Sequence, residues 1–285
     1  MTWAVPLLRK HERMNSAGVD SPSMDPTERV SQLLMRCGQD DAVLPPTELF
    51  NEGWMLRLVL DWAAHHPSAI PELMLEKGSR WYSEALLPSR FRPRRRGDIA
   101  GEGYTHADAV IGHFRRRDGG RGDIELLPDA RQLVVVEAKM ASGLSAGTTR
   151  APDFNQAARN VACIAQLVSS ARIDPAAFTR LGFVLMAPAQ RIAEGMFATA
   201  IDKAAISAAV ARRAETFDAQ AVEWCRSCFE PVALRCSVSV VSWEDLLTQI
   251  AAIEPRAGER LGEFYENCLR YNPLRPGLQG TPTAT

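Results

Sequence analysis

An apolar run, VVVEAKM at residues 134–140, ends in an acid and a base two residues apart. Three consecutive β-branched residues indicate a buried strand, and residues two apart on a strand point to the same face. Glu137 and Lys139 therefore share a face, and the Ala138 carbonyl stays close to them. A carboxylate, an ammonium group and a backbone oxygen at one strand end suit a hard divalent metal ion, a phosphate group and a water molecule.

The same triplet also has an ordinary interpretation, because an E-x-K pair on a half-exposed strand is usually solvated. The run that precedes Glu137 is too continuously apolar for a solvated strand. Charged groups at its end therefore need a partner or a role. This context favours a functional site.

A second acid, Asp108, lies within a predicted strand from Tyr104 to Phe114. Aspartate is depleted in strands, and this one interrupts an apolar stretch. We expect its strand to neighbour that of Glu137. The two carboxylates should then be close enough to share one metal ion, whose ligand oxygens lie at about 2.0 to 2.6 Å.

Two predicted helices carry further polar groups. On the helical wheel of a helix from Thr47 to His65, Glu52 lies nearly opposite the water-facing residues. An inward carboxylate is costly without a partner, so Glu52 is either structural, as an ion pair or a helix-start acid, or functional. A second helix, capped by Asp153 and ending near Ser170, carries Gln156 and Asn160 on one flank.

Two arginine clusters accompany the predicted strand of Asp108, RFRPRRR at 90–96 and RRR at 115–117 in a hairpin turn. Five arginines within seven residues exceed what solubility requires, so the first cluster favours phosphate contact. The alternative for both clusters is a solvated, flexible turn. The candidate nucleic-acid contacts are Arg92, Arg94, Arg95, Arg96, Arg115 and Arg116.

A CxxC pair, Cys225 and Cys228, precedes Cys236. Zinc would need a fourth ligand, and neither a second CxxC nor a nearby histidine supplies one. Buried structural thiols are the favoured interpretation.

The composition is that of an ordinary globular protein: 285 residues, 46% hydrophobic and 24% charged. A net charge of -1 argues against a basic coat, so any nucleic-acid contact must be local. No apolar run approaches the length of a membrane span, and Met1 to Met14 lacks the apolar core of a signal peptide. We therefore expect a cytoplasmic protein with no membrane partner.

The pattern predicts one domain over 26–272, with a mobile leader at 1–25 and a loose tail at 273–285. Further elements are expected at 26–37, 81–92, 124–127, 181–187, 189–228, 232–241, 242–250 and 257–270. The chain order is thus helix, strand meander, helix and strand. Further helices and one strand follow in a C-terminal elaboration at 191–272.

This order, with its acids, resembles the PD-(D/E)XK nuclease superfamily, the restriction-endonuclease-like fold, over about 45–190. That family has an αβββαβ core, with an acid in the second strand and (D/E)-x-K in the third. Asp108 matches the first acid, and Glu137 to Lys139 matches the triplet. Glu52 matches a helical acid that many members carry, and Gln156 matches a polar residue on the next helix. One departure is alanine, not proline, immediately before Asp108.

The resemblance implies an α/β fold with a central mixed sheet flanked by helices, and a Mg²⁺- or Mn²⁺-dependent phosphodiester hydrolase. DNA is the expected substrate, in restriction, repair or phage defence. Asp108, Glu137 and the Ala138 carbonyl would bind the metal, with Glu52 as a further ligand. Lys139 would act on the attacking water or on developing charge, and Gln156 would hold a water or a phosphate oxygen.

Two alternatives come from other functional classes. One is a catalytically silent nucleic-acid-binding or assembly module that retains the nuclease fold. The other is a non-nuclease enzyme with a carboxylate–lysine site on a different α/β fold. A homodimer or a partner protein also stays open.

Overall fold

The computed structural model describes residues 25–147 and 151–273, and the chain divides into two compact units, Met1–Glu48 and Leu49–Thr285. In the first unit, helix α1 spans Pro26–Met35. Asp25 caps it by accepting hydrogen bonds from two backbone N–H groups of the first turn, as a helix with proline at its first position predicts. The expected leader at 1–25 and tail at 273–285 lie outside the described residues, except for one residue of each.

The second unit is an α/β structure built on a five-stranded mixed sheet. Strand order is β1-β2-β5-β6-β7; the two pairings of β2 are antiparallel and the two pairings of β6 are parallel. Strands β3 and β4 form a separate antiparallel hairpin. The strands are β1 Arg80–Leu87, β2 Thr105–Gly112, β3 Phe114–Arg116, β4 Ile124–Leu126, β5 Gln132–Ala138, β6 Arg180–Ala187 and β7 Ser237–Ser242.

Helices cover both faces of the sheet, because strand side chains alternate between two apolar cores. Val135 packs into the core shared with α3 and α5, and Val134 and Val136 pack into the core shared with α2, α8 and α9. No helix in the described ranges is long and apolar enough to cross a bilayer. The helices are α2 Glu52–His65, α3 Gln156–Ala171, α4 Ala189–Ala193, α5 Lys203–Phe217, α6 Ala219–Trp224, α7 Glu230–Arg235, α8 Trp243–Ile253 and α9 Pro255–Tyr271.

The starts of α2 and α3 differ from the sequence prediction. Helix α2 begins at Glu52, not at Thr47, because the Asn51 side chain accepts a hydrogen bond from a backbone N–H of the first turn. Helix α3 likewise begins after Asn155, which caps it in place of Asp153. In both cases the side chain nearest to the apolar run provides the cap.

The long helix expected at 189–228 was wrong. The chain forms α4, α5, α6 and a π-helical turn at Cys225–Phe229, since Gly195 adopts a positive φ and Asp202 and Asp218 cap new helices. The strand expected at 232–241 was also wrong in its first half. Helix α7 occupies that half, and β7 begins only at Ser237.

The sheet topology brings several chain segments to one end. Strand β5 ends where β2 begins, because the two run antiparallel, and β1 ends at the same place. The loop at 88–104, which carries the first arginine cluster, therefore leaves and re-enters the sheet beside the end of β5. The loop from β5 to α3 starts there too.

Candidate active site

Asp108 and Glu137 lie on neighbouring antiparallel strands. The register pairs Ala109 with Val136, which brings Asp108 opposite Glu137. Residues opposite one another in an antiparallel pair share a face. The Asp108 carboxylate also accepts a hydrogen bond from the backbone N–H of Ala138 at 2.7 Å. The two acids singled out in the sequence therefore meet at the end of β5.

Lys139, the residue after β5, is held by three hydrogen bonds. The Lys139 ammonium donates to Glu137 Oε1 at 2.6 Å, so this acid and base do share a face. The Lys139 backbone N–H donates to the Met186 carbonyl at 2.8 Å, and its own carbonyl accepts from Trp243 Nε1 at 2.9 Å. Backbone groups of successive strand residues point to opposite edges, so the Ala138 carbonyl is directed toward β2.

Helix α3 contributes two amide side chains to the same carboxylate. Gln156 Nε2 donates to Glu137 Oε1, and Asn160 Nδ2 donates to Glu137 Oε2 at 3.3 Å. Residues four apart lie on one face of a helix, which is why both amides reach one acid. The Gln156 carbonyl oxygen in turn accepts from the backbone N–H of Ser145 at 3.1 Å, which orients the amide.

The electrostatics of this cluster are unusual for a carboxylate. The Glu137 side chain has no exposed surface, and burial raises its pKa above the ordinary value. The negative charge of Asp108 raises that pKa further, and the Lys139 ammonium acts in the opposite direction. Two carboxylates on one buried surface stabilise an added proton or a cation.

Asn160 is a site residue to which the sequence analysis assigned no role. It is fully buried, and its Oδ1 has no hydrogen-bond partner among the described residues. A buried acceptor without a partner is costly, and such atoms often face a water molecule or an ion. The available signal was an asparagine four residues after Gln156, on a helix whose Ala157, Val161 and Ile164 are buried.

Glu52 lies on the other side of the sheet, in the first turn of α2. It is half-buried, and its charge contributes to raising the pKa of the Cys268 thiol, after burial of that thiol. Arg57, five residues after Glu52 on the same helix, binds Glu84, which lies level with Asp108. No hydrogen bond joins it to Glu137 in the described residues, and its role stays a prediction.

Strand β1 is distorted opposite Asp108. Glu84 has a left-handed backbone, with φ of 53°, which is strained for a residue with a Cβ. Arg57 holds it through a 3.0 Å ion pair and donates to Ser83 Oγ at 3.1 Å. The strain therefore lies directly beside the carboxylate pair.

The first arginine cluster divides into engaged and exposed members. Arg94 binds Asp98 at 2.8 Å and the Phe217 carbonyl at 2.9 Å. The hydrogen bonds that the Arg94 side chain and backbone donate to Asp98 hold the pKa of that carboxyl well below its ordinary value. Arg95 and Arg96 are exposed, while Arg92 lies over the Tyr104 ring. Arg94 thus fixes the loop and Arg90 approaches Asp218 at 3.7 Å, whereas Arg92, Arg95 and Arg96 form no ion pair among the described residues.

The second cluster is held within its own hairpin. Arg115 pairs with Glu125, and Arg117 approaches the same carboxylate at 3.8 Å. Arg116 lies over the Tyr82 ring, with 5.5 Å between the guanidinium carbon and the ring centroid. These contacts anchor the turn, and a role in phosphate contact stays a prediction.

All six cysteines are free thiols. Burial raises the pKa of Cys225, and it raises the pKa of Cys236 to about 12, so both stay protonated. Across the described ranges, no group of three or more His, Cys, Asp or Glu side chains is arranged to hold a metal ion. Cys225 is buried and Cys228 is partly buried, and the interpretation of the CxxC pair as structural thiols stays a prediction. Asp108 and Glu137 form a pair of carboxylates.

No protein-family model, curated protein or solved structure matches this chain.

Proposed function

We propose that this chain is a metal-dependent nuclease of the PD-(D/E)XK type that hydrolyses phosphodiester bonds in DNA. One observation carries the proposal: a fully buried Glu137 lies opposite Asp108 and binds Lys139, the residue that follows its strand. An acid pair with an ammonium at one strand end is what phosphodiester hydrolysis needs. It provides oxygen ligands together with a cation for the water or the developing charge.

The order of elements supports the same assignment. Helix α2, the antiparallel strands β1, β2 and β5, helix α3 and the parallel strand β6 follow the αβββαβ order of that superfamily. The β3–β4 hairpin is an insertion within the meander. Strand β7 extends the sheet beyond the core.

The donor atoms fit a hard divalent cation. Asp108 and Glu137 offer carboxylate oxygens, and Ala138 offers a carbonyl directed toward β2. Mg²⁺ or Mn²⁺ prefers oxygen ligands, and Mg²⁺ keeps several waters, so one or two protein carboxylates suffice. Such an ion would polarise the phosphate and lower the pKa of a bound water.

The other side chains have separate roles in this scheme. The Lys139 side chain is 11% exposed, so its ammonium can reach a water or a phosphate oxygen while it stays beside Glu137. Gln156 and Asn160 orient the Glu137 carboxylate, as outer hydrogen-bond partners of metal ligands do. Arg95 and Arg96 remain candidates for contacts to the DNA backbone.

The test is cleavage of plasmid, linear duplex and single-stranded DNA with Mg²⁺, Mn²⁺ or a chelator. We expect cleavage only with the metals and its loss in Lys139→Ala. The matched control is Lys77→Ala, which removes an exposed lysine of a distant loop. DNA binding without cleavage under every metal would instead identify the silent binding module.

A further inference from the structure

Two cavities lie side by side along the loop at 88–104 and share Tyr104 as a wall. The near cavity, of about 480 Å³, is lined by residues 101–106 together with Gln156 and Arg159. The far cavity, of about 370 Å³, is lined by Arg92, the β3–β4 hairpin and the second half of α3. Both volumes fall in the range of small-ligand pockets, about 300 to 1,000 Å³.

The near cavity opens beside the candidate active site. Gln156 lines it and also donates to Glu137. His106, another lining residue, lies two positions before Asp108 on β2. A chain that occupies this cavity would reach the carboxylate pair.

Tyr104 separates the two cavities with a partly exposed aromatic ring. It is 36% exposed, and the Arg92 guanidinium carbon lies 5.2 Å from its ring centroid. A ring with an arginine stacked on it is a platform on which an unpaired nucleobase can lie. Bases within a duplex are already stacked on one another and cannot use such a platform.

Each cavity also has an arginine without an ion pair among the described residues, Arg92 in the far one and Arg159 in the near one. Arg159 donates to Ser145 Oγ at 2.6 Å, and its buried Nε has no hydrogen-bond partner within those residues. The nearby Glu102 carboxylate is engaged by Arg213 at 2.9 Å. Tyr104 thus lies between a cavity with Arg92 and a cavity with Arg159, an order that matches the alternation of phosphate and base along one strand.

From these contacts we infer that the two cavities bind single-stranded nucleic acid, with a base on Tyr104 and phosphates at Arg92 and Arg159. This inference rests on the proposed function and adds its substrate class. The strand would run from the far cavity past Tyr104 to the near cavity and on to Glu137. An unpaired end or single strand is then the preferred substrate over an intact duplex.

The test is fluorescence anisotropy with a labelled single-stranded oligonucleotide, and with the same sequence as a duplex, both in a chelator. Tyr104→Ala should weaken single-strand binding about 5- to 150-fold, the range for loss of one base–aromatic stack, and leave duplex binding unchanged. Tyr104→Phe keeps the ring and should bind like the wild type. Arg92→Ala should weaken binding, whereas Arg270→Ala, which removes the same kind of arginine from over Tyr271 on α9, should not.

The outcomes separate this inference from the proposed function. Equal binding by wild type and Tyr104→Ala, equal losses for single strand and duplex, or no single-strand binding at all would overturn the inference. Metal-dependent cleavage by the wild type would still leave the nuclease assignment intact. Conversely, tight single-strand binding that depends on Tyr104, in a protein that cuts nothing with any metal, would support the inference and reject the nuclease. Thermal melts of each variant verify that it is folded.

Discussion

Each face of the central sheet has one conspicuous glutamate, Glu137 on β5 or Glu52 on the helix α2 that packs there, and the surroundings of the two differ. Glu137, on the α3 face, is fully buried and accepts hydrogen bonds from Lys139, Gln156 and Asn160. Glu52, on the α2 face, is half-buried and has no side-chain hydrogen bond or ion pair in the described part of the chain. Both were singled out as acids in apolar surroundings.

The comparison shows how a carboxylate in a hydrogen-bonded cluster differs from one in the first turn of a helix. The first turn of a helix stabilises a carboxylate by its free N–H groups and its dipole, so Glu52 needs no dedicated partner. A buried carboxylate on a strand has no such support, and three side chains converge on Glu137. Convergence of donors, more than an inward position, therefore makes Glu137 the stronger candidate for a site residue.

Replacing each glutamate by alanine should separate them most strongly. Glu137→Ala removes a proposed metal ligand, so metal affinity and cleavage should be lost together. Glu52→Ala should retain most of both, because it lies outside the hydrogen-bonded cluster. Metal titration by calorimetry and single-turnover cleavage measure the two effects. If both variants lose metal affinity and cleavage equally, Glu52 is the further ligand that the family resemblance implies. The control is Glu263→Ala, on the exposed face of α9.

Lys139→Ala should have the next largest effect. Its ammonium is proposed to act on the water or on charge that develops during attack, not as a ligand. Turnover should fall on the order of 10²-fold or more, with metal and DNA binding retained. Single-turnover cleavage with parallel binding assays tests this split. Cleavage at the wild-type rate would reject the E-x-K strand as a nuclease centre.

The two amides of α3 should have intermediate effects. Asn160→Ala and Gln156→Ala each remove one hydrogen bond that orients Glu137, so metal affinity or turnover should fall about 10- to 100-fold. The control is Asn267→Ala, whose amide donates only to its own helix. Gln156→Asn should lose as much activity as Gln156→Ala, because the shorter asparagine side chain does not reach the Glu137 carboxylate. Wild-type activity in Asn160→Ala would assign that residue to packing alone.

The smallest effect concerns stability against pH without metal. The Glu137 pKa is higher in the folded protein than in the unfolded chain, so the folded state binds more protons between those two values. Stability should therefore fall as pH rises from the ordinary carboxyl range through the raised pKa. Glu137→Gln lacks this titration, and its melting temperature should exceed that of the wild type by a widening margin of a few degrees. Thermal melts from pH 5 to 9 in a chelator measure it, and parallel curves would contradict it.

The end of β5 and the acids Asp108 and Glu137 could be predicted from the sequence, because they depend on local patterns of residues. Three β-branched residues forecast β5, period-two geometry forecast the shared face of Glu137 and Lys139, and Asp108 was conspicuous in a strand. These inferences need only alternation and burial. The five-stranded mixed sheet confirms the α/β class.

The remaining features depend on contacts between distant segments. Asn160 became a site residue only when α3 packed over the end of β5, 23 residues away in the chain. Arg94, for which phosphate contact stays a prediction, donates to the Phe217 carbonyl, 123 residues away in the chain. Helix breaks at 189–235 arise from capping aspartates that compete with strong helix propensity of alanine, a balance that periodicity does not resolve.

Trp243 donates a hydrogen bond to the Lys139 carbonyl. A fragment expressed alone therefore has to extend at least to Trp243 to keep this contact at the end of β5. A fragment cut at residue 190 would contain every proposed catalytic group, yet it would leave β6 with an open edge where β7 pairs. It would also lack Phe217 and Trp224. The rings of both residues contact Phe91, which lies in the loop at 88–104. Such a fragment would expose an unpaired strand of apolar residues and associate with itself. The C-terminal segment therefore covers the open edge of β6 and holds the end of β5 in place.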